Sequence, residues 1–198
     1  MKEEFEYYRI YKKGEDFIPL ISIGKDGTSD SFYTRKKVED PPIINFYLQK
    51  PVPPKLPPVD LMTCPHLIFS NKLTTLLNSL NISGIQLIPG QFRANEKPYS
   101  GMETEYYGLI VYHRIKCINR ELSDATFATG MRNVKKLVLD KKVLGEIPLE
   151  DRLIFTLKED STYKMFHKSI VDKIMEANPR NVRFVYIEDI TSSTIFGR

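Results

Sequence analysis

The chain has 198 residues, 41% hydrophobic and 27% charged, with 29 basic against 25 acidic side chains and a net charge of +4. These values suit one globular domain, or one domain with an ordered extension, and exclude disordered and fibrous classes. Two cysteines and no CxxC pair exclude a disulfide framework and a zinc site of the usual spacing.

Residues 1–13 (MKEEFEYYRIYKK) are charged and aromatic, without the apolar core of a signal peptide. No run approaches the roughly 18 apolar residues of a membrane helix, so a cytoplasmic, reducing location and no membrane partner are expected. The basic residues are densest at 35–37, 135–136 and 141–142, where acids are interleaved with them. A nucleic-acid binder gathers its charge on one face or stripe, so no nucleic-acid partner is expected.

Residues 1–48 read as a β-rich segment packed on the main domain. Phe17 to Ile23 is apolar and is followed by Asp26-Gly27, a hairpin signal because glycine tolerates positive φ. Residues 43–48 (IINFYL) form another strand candidate. Pro51, Pro53, Pro54, Pro57 and Pro58 then make 49–60 a strap of polyproline II type, since proline fixes φ and extends the residue before it.

The main domain spans 61–190, with 191–198 as a tail. A strand–helix–strand pattern occurs in it twice, at 66–88 and at 163–185, pairing Phe69 with Phe166, Leu73 with Ile170, Leu77 with Ile174, Asn81 with Asn178 and Ile85 with Val182. Leu73, Leu76, Leu77 and Leu80 fall on one helical face. Asn81 with Gly84, and Asn178 with Pro179, supply the helix stops. Between the copies, 106–118 alternates with period two, placing Tyr107, Leu109, Val111, Ile115 and Cys117 on one face and Tyr112, Arg114 and Lys116 on the other. Residues 134–139 and 153–157 are further strands, and 119–133 is a long loop. The expected class is α+β: a mixed or mainly antiparallel sheet with two strand–helix–strand units as a pseudo-repeat, plus the β-rich N-terminal segment.

The motifs of phosphate-binding loops, dinucleotide sites, nucleophile elbows and zinc proteases are missing. Cys64 and His66 would share a strand face about 6–7 Å apart, which supplies two metal ligands where zinc needs three or four. His113 and Cys117 share a face about 13 Å apart, too far for a nucleophile–base pair. His113 continues an apolar face and reads as a hydrogen-bonded core histidine, and His167 as a helix cap. A composite metal or cysteine site built from Cys64, His66, His113 and Cys117 is the enzymatic alternative; otherwise the chain is not an enzyme and uses no cofactor or metal. The tyrosines read mainly as sheet packing, with Tyr99, in the polar loop 93–101, exposed.

Residues 60–190 resemble the immunity proteins of bacterial polymorphic toxin systems, in particular the family named after a myxobacterial immunity protein. The resemblance rests on Val59-Asp60 followed by HLIFSNKLTTLLNSLNISGIQLIP, on YYGLIVYHRIKCINRELS, on KKLVLD, and on MFHKSIVDKI with Val182-Arg183-Phe184-Val185. It implies a non-catalytic protein that caps a cognate toxin, encoded by an adjacent gene, inside the producing cell. Partner contact is then expected at Arg93 and Tyr99 with the acidic Glu96, Glu103 and Glu105, since aromatic and arginine anchors dominate such interfaces.

Overall fold

The computed structural model describes residues 3–14, 18–19, 21–23, 36–63, 66–127 and 130–191. In chain order the first strands are β1 (Tyr7–Lys12), β2 (Ile21–Ile23), β3 (Ile44–Leu48), β4 (Leu61–Met62) and β5 (Ile68–Ser70). Helix α1 (Asn71–Ser79) leads to β6 (Ile85–Ala94), β7 (Lys97–Pro98), β8 (Tyr106–Val111) and β9 (Arg114–Ile115). A hairpin of β10 (Asp124–Thr126) and β11 (Arg132–Lys136) and the short helix α2 (Lys141–Gly145) follow. The chain then forms β12 (Ile154–Leu157), β13 (Lys164–His167), α3 (Lys168–Glu176) and β14 (Val182–Tyr186).

The class is α+β, as the pattern suggests. One sheet has the order β2-β3-β6-β8-β5-β4, with β7 paired to the end of β6; the other has the order β14-β1-β13-β12-β9. Pairing is antiparallel except for β3 with β6 and β9 with β12. The Asp26-Gly27 hairpin signal lies outside the described residues.

The pseudo-repeat is carried by the strand registers. Strand β8 lies between β5 and β6, with Tyr106 opposite Ser70 and Val111 opposite Ile85. Strand β1 lies between β13 and β14, with Tyr7 opposite His167 and Lys12 opposite Val182. The order β6-β8-β5-β4 in one half thus corresponds to β14-β1-β13-β12 in the other. Backbone bonds repeat with it. Asn71 N–H donates to the Glu105 carbonyl at 2.8 Å and Lys168 N–H to the Glu6 carbonyl at 2.9 Å. Tyr112 N–H donates to the Gly84 carbonyl at 2.9 Å and Lys13 N–H to the Asn181 carbonyl at 2.7 Å. Both helices end on a left-handed asparagine, Asn81 at φ 47° and Asn178 at φ 48°. Where the sequence suggests a segment packed on the main domain, Tyr7–Lys12 is an interior strand of the second half.

Three apolar cores follow among the described residues. The central one joins the inner faces of both sheets to both helices: Leu73, Leu77 and Leu109 from one half meet Ile170, Ile174 and Ile10 from the other. On its other face the larger sheet, β2 and β3 included, packs against the strap and buries Leu56 and Val59. The outer face of the smaller sheet is covered by Cys117, Ile118, Met131, Val134, Leu137, Leu139 and Leu144. Strand β8 is buried on both sides, which is why its alternation is weak.

Each half docks the turn after its helix onto the other half. Asp60 Oδ1 accepts from Ser70 Oγ at 2.5 Å and its Oδ2 from Arg180 N–H at 2.7 Å. Asn181 Oδ1 accepts from Leu61 N–H at 3.2 Å while its Nδ2 donates to the Leu61 carbonyl at 2.8 Å. On the opposite side Ser83 Oγ donates to the Glu150 carbonyl at 2.8 Å.

The expected strand 106–118 is two strands in two sheets. Tyr112 and His113 both donate their N–H to the Gly84 carbonyl, ending β8, and the chain crosses to the smaller sheet as β9. The loop 119–133 contains β10 and the start of β11, and begins with Asn119 Oδ1 accepting from the N–H groups of Glu121 and Leu122.

Candidate functional site

Fixed polar groups are presented at the hairpin end of the larger sheet and in a recess between the sheets. The hairpin turns at Asn95 and Glu96, with φ of 49° and 67°, the positive values a two-residue type I′ turn requires. Arg93 is held by two bonds, Nε to Asn45 Oδ1 at 2.7 Å and Nη1 to the Glu96 carbonyl at 3.0 Å. Glu96 is exposed beside it. Tyr99, expected to be exposed, is half-buried: its hydroxyl donates to the strap carbonyl of Pro53 at 2.8 Å, and desolvation raises its pKa.

Glu103 forms an ion pair with Lys55 of the strap. Glu105 accepts from the Tyr107 hydroxyl at 3.0 Å, and Glu6 accepts from the Tyr8 hydroxyl at 3.2 Å at the corresponding place in the other half. Arg93, Glu96 and Tyr99 therefore share one hairpin, and Glu103 and Glu105 lie on the connection from it to β8. The bond of Glu105 is also part of the repeat.

The four candidate thiol and imidazole groups are not assembled among the described residues; Cys64 lies outside them. His113 Nδ1 is 3.0 Å from the Asp151 carbonyl, and its ring covers Gly84 so closely that a Cβ there would overlap it. Cys117 is buried in the outer core of the smaller sheet, where desolvation, helped by Glu159 and Asp140, pushes its pKa up. Such a thiol stays protonated and inert. His167 caps α3, its Nδ1 accepting from Ser169 N–H at 3.2 Å. Among the described residues no three His, Cys, Asp or Glu side chains are placed to hold a metal ion.

His66 instead lines the recess, a small cavity of about 60 Å³. Leu109 and Val111 of β8 form its apolar wall, and Arg114, Thr156, Ser161 and Lys164 its polar side. Arg114 and Thr156 are paired across β9 and β12, and Thr156 and Lys164 across β12 and β13, so the three side chains share a face. Lys164 Nζ donates to the Ser161 carbonyl at 3.4 Å, and Arg114 Nε is buried without an acceptor. Burial, then Arg9 and Arg114, lowers the Lys164 ammonium to about 8. Burial, then Lys164, lowers His66 to about 4, leaving it neutral at pH 7. On the opposite face of the same sheet Arg9 lies 4.1 Å from the Tyr163 ring and 5.1 Å from the Tyr11 ring.

No family model and no curated protein matches this chain. The chemistry is read from the site itself: it is a place of concentrated positive charge and hydrogen-bond donors, suited to holding an anion. No helix among the described residues is long and apolar enough to cross a membrane. The recess was not visible as a motif, because residues 66 and 114 are far in the chain from 156, 161 and 164. The one signal available was the polar strand face that included Arg114.

Proposed function

We propose that this chain is a non-catalytic immunity protein that binds and neutralises a cognate bacterial toxin in the cytoplasm of the cell that makes it. The observation that carries the reading is Arg93, held in place by Asn45 and the Glu96 carbonyl at an exposed hairpin end. An arginine fixed before contact loses little entropy on binding, which is how a few anchors come to dominate a standard interface of about 1,600 Å². Exposed Glu96 beside it presents both signs of charge, a pattern that selects one partner and repels others. The resemblance of residues 60–190 to immunity proteins supports the same reading.

Co-expression with the product of the adjacent gene tests it. Growth should be rescued by the wild-type chain, and Arg93→Ala should weaken the complex about 30-fold, the scale of an interface hot spot. A neighbour that is harmless, or that stays toxic in the presence of the wild-type chain, overturns the proposal.

A further inference from the structure

The recess holds charge that the repeated architecture does not require. By the strand registers Lys164 corresponds to Leu67, which is 8% exposed in the central core. The fold therefore accepts a leucine at this position, and the half that carries lysine departs from the apolar rule locally, as binding sites do.

The two cations there also lack a carboxylate partner. Among the described residues no carboxylate lies within ion-pair distance of Lys164 or Arg114. Asp160 acts on Lys164 from a distance, but its carboxylate is already committed. Its Oδ1 accepts from Thr162 N–H at 2.9 Å and Oγ1 at 2.7 Å, and its Oδ2 from Met131 N–H at 3.0 Å. Both side chains are half-buried, which penalises an unpaired charge, and the buried Nε of Arg114 has no acceptor.

We propose that the recess binds a small phosphate monoester, with the phosphate between Arg114 and Lys164 and the hydroxyls of Thr156 and Ser161 beside it. Two full cations and several donors match a dianion with three acceptor oxygens better than a single carboxylate. At about 60 Å³ the recess holds several times the roughly 10–15 Å³ that one water needs, room for a phosphate group whose substituent extends toward solvent beside Leu109 and Val111. This site is independent of the hairpin end and of any toxin.

Titration of the ¹⁵N-labelled wild-type protein with inorganic phosphate and with ribose 5-phosphate, in chloride buffer at pH 7, tests the assignment. Saturable shifts are expected at the amides of Arg114, Thr156 and Lys164, with a dissociation constant below about 1 mM and ribose 5-phosphate binding at least as tightly as inorganic phosphate. Lys164→Leu and Arg114→Gln should each weaken binding at least about tenfold. Lys164 is surrounded by Arg9 from β1, Arg114 from β9, His66 and Asp160, and wild-type affinity should fall as it deprotonates on the alkaline side of pH 8. Absence of saturable shifts, shifts confined to other surfaces, exclusion of ribose 5-phosphate, or undiminished binding by both variants would each overturn the proposal. The wild-type titration decides the matter even where a variant fails to fold.

Discussion

Replacing Lys164 by leucine should stabilise the protein at neutral pH. Burial, together with Arg9 and Arg114, lowers this ammonium from its ordinary 10.5 to about 8. At about 1.4 kcal/mol per pH unit, keeping it protonated in the folded state costs roughly 3 kcal/mol. The side chain is only half-buried, so a gain of roughly 1–3 kcal/mol is expected, or about 2–12 °C in melting temperature for a chain of this size. The sign with pH follows from the depressed value. Between about 8 and 10.5 the unfolded chain holds the proton more tightly, so wild-type stability from this group rises with pH across that window. The advantage of the leucine variant is therefore full at pH 7 and smaller at about pH 9.5. Raised tyrosine pKa values at Tyr7, Tyr11 and Tyr163 add their own alkaline dependence, but both proteins share them and the difference removes it. Urea unfolding of both proteins at the two pH values measures the effect. A variant less stable at pH 7, or an advantage that does not shrink on going alkaline, would refute the reasoning.

Gly84→Ala should cost roughly 3 kcal/mol or more by thermal unfolding, because φ is +74° and the new Cβ overlaps the His113 ring; His113→Ala in the same chain should restore part of the loss. Asp60→Ala should cost roughly 2–4 kcal/mol in urea unfolding, since it strands Ser70 Oγ and the Arg180 N–H at the contact between the halves. Arg152 is 2% exposed and donates to the Ile147 carbonyl, the Glu4 carbonyl, Glu4 Oε1 and the Tyr7 hydroxyl. Arg152→Lys cannot reproduce that fork and should lower stability by roughly 2–3 kcal/mol in the same assay.

The helices were legible because each buries one face, and period-3.6 spacing at Leu73 to Leu80 records that directly. The pairing of Phe69 with Phe166 and of Ile85 with Val182 likewise survives in the strand registers. The role of β1 was not legible, since its partners lie at the far end of the chain and strand propensity is silent on pairing. A signal existed in the tripeptide Glu-Tyr-Tyr, which occurs at 6–8 and again at 105–107, corresponding positions of the two halves. The continuous strand over 106–118 was misread because the alternation runs on through Tyr112 and His113, where the chain changes sheet. Tyr99 sits in a polar loop, and only the nearness of the Pro53 carbonyl explains its burial. The recess was hidden for a similar reason: Thr156, Ser161 and Lys164 belong to one hairpin, but tertiary packing alone brings His66 and Arg114 to them.

The interior place of Tyr7–Lys12 has a consequence for biosynthesis. A nascent chain can close its first half once residue 111 has left the ribosome, because β4, β5, α1, β6 and β8 are contiguous. Strand β1, made before the elements it pairs with, has no mate until β13 emerges at His167, about 8–30 s later at ordinary bacterial or eukaryotic elongation rates. Through that interval Tyr7, Tyr8 and Ile10 are an orphaned aromatic edge, the kind of segment that holdase chaperones shield and that pairs wrongly when crowded.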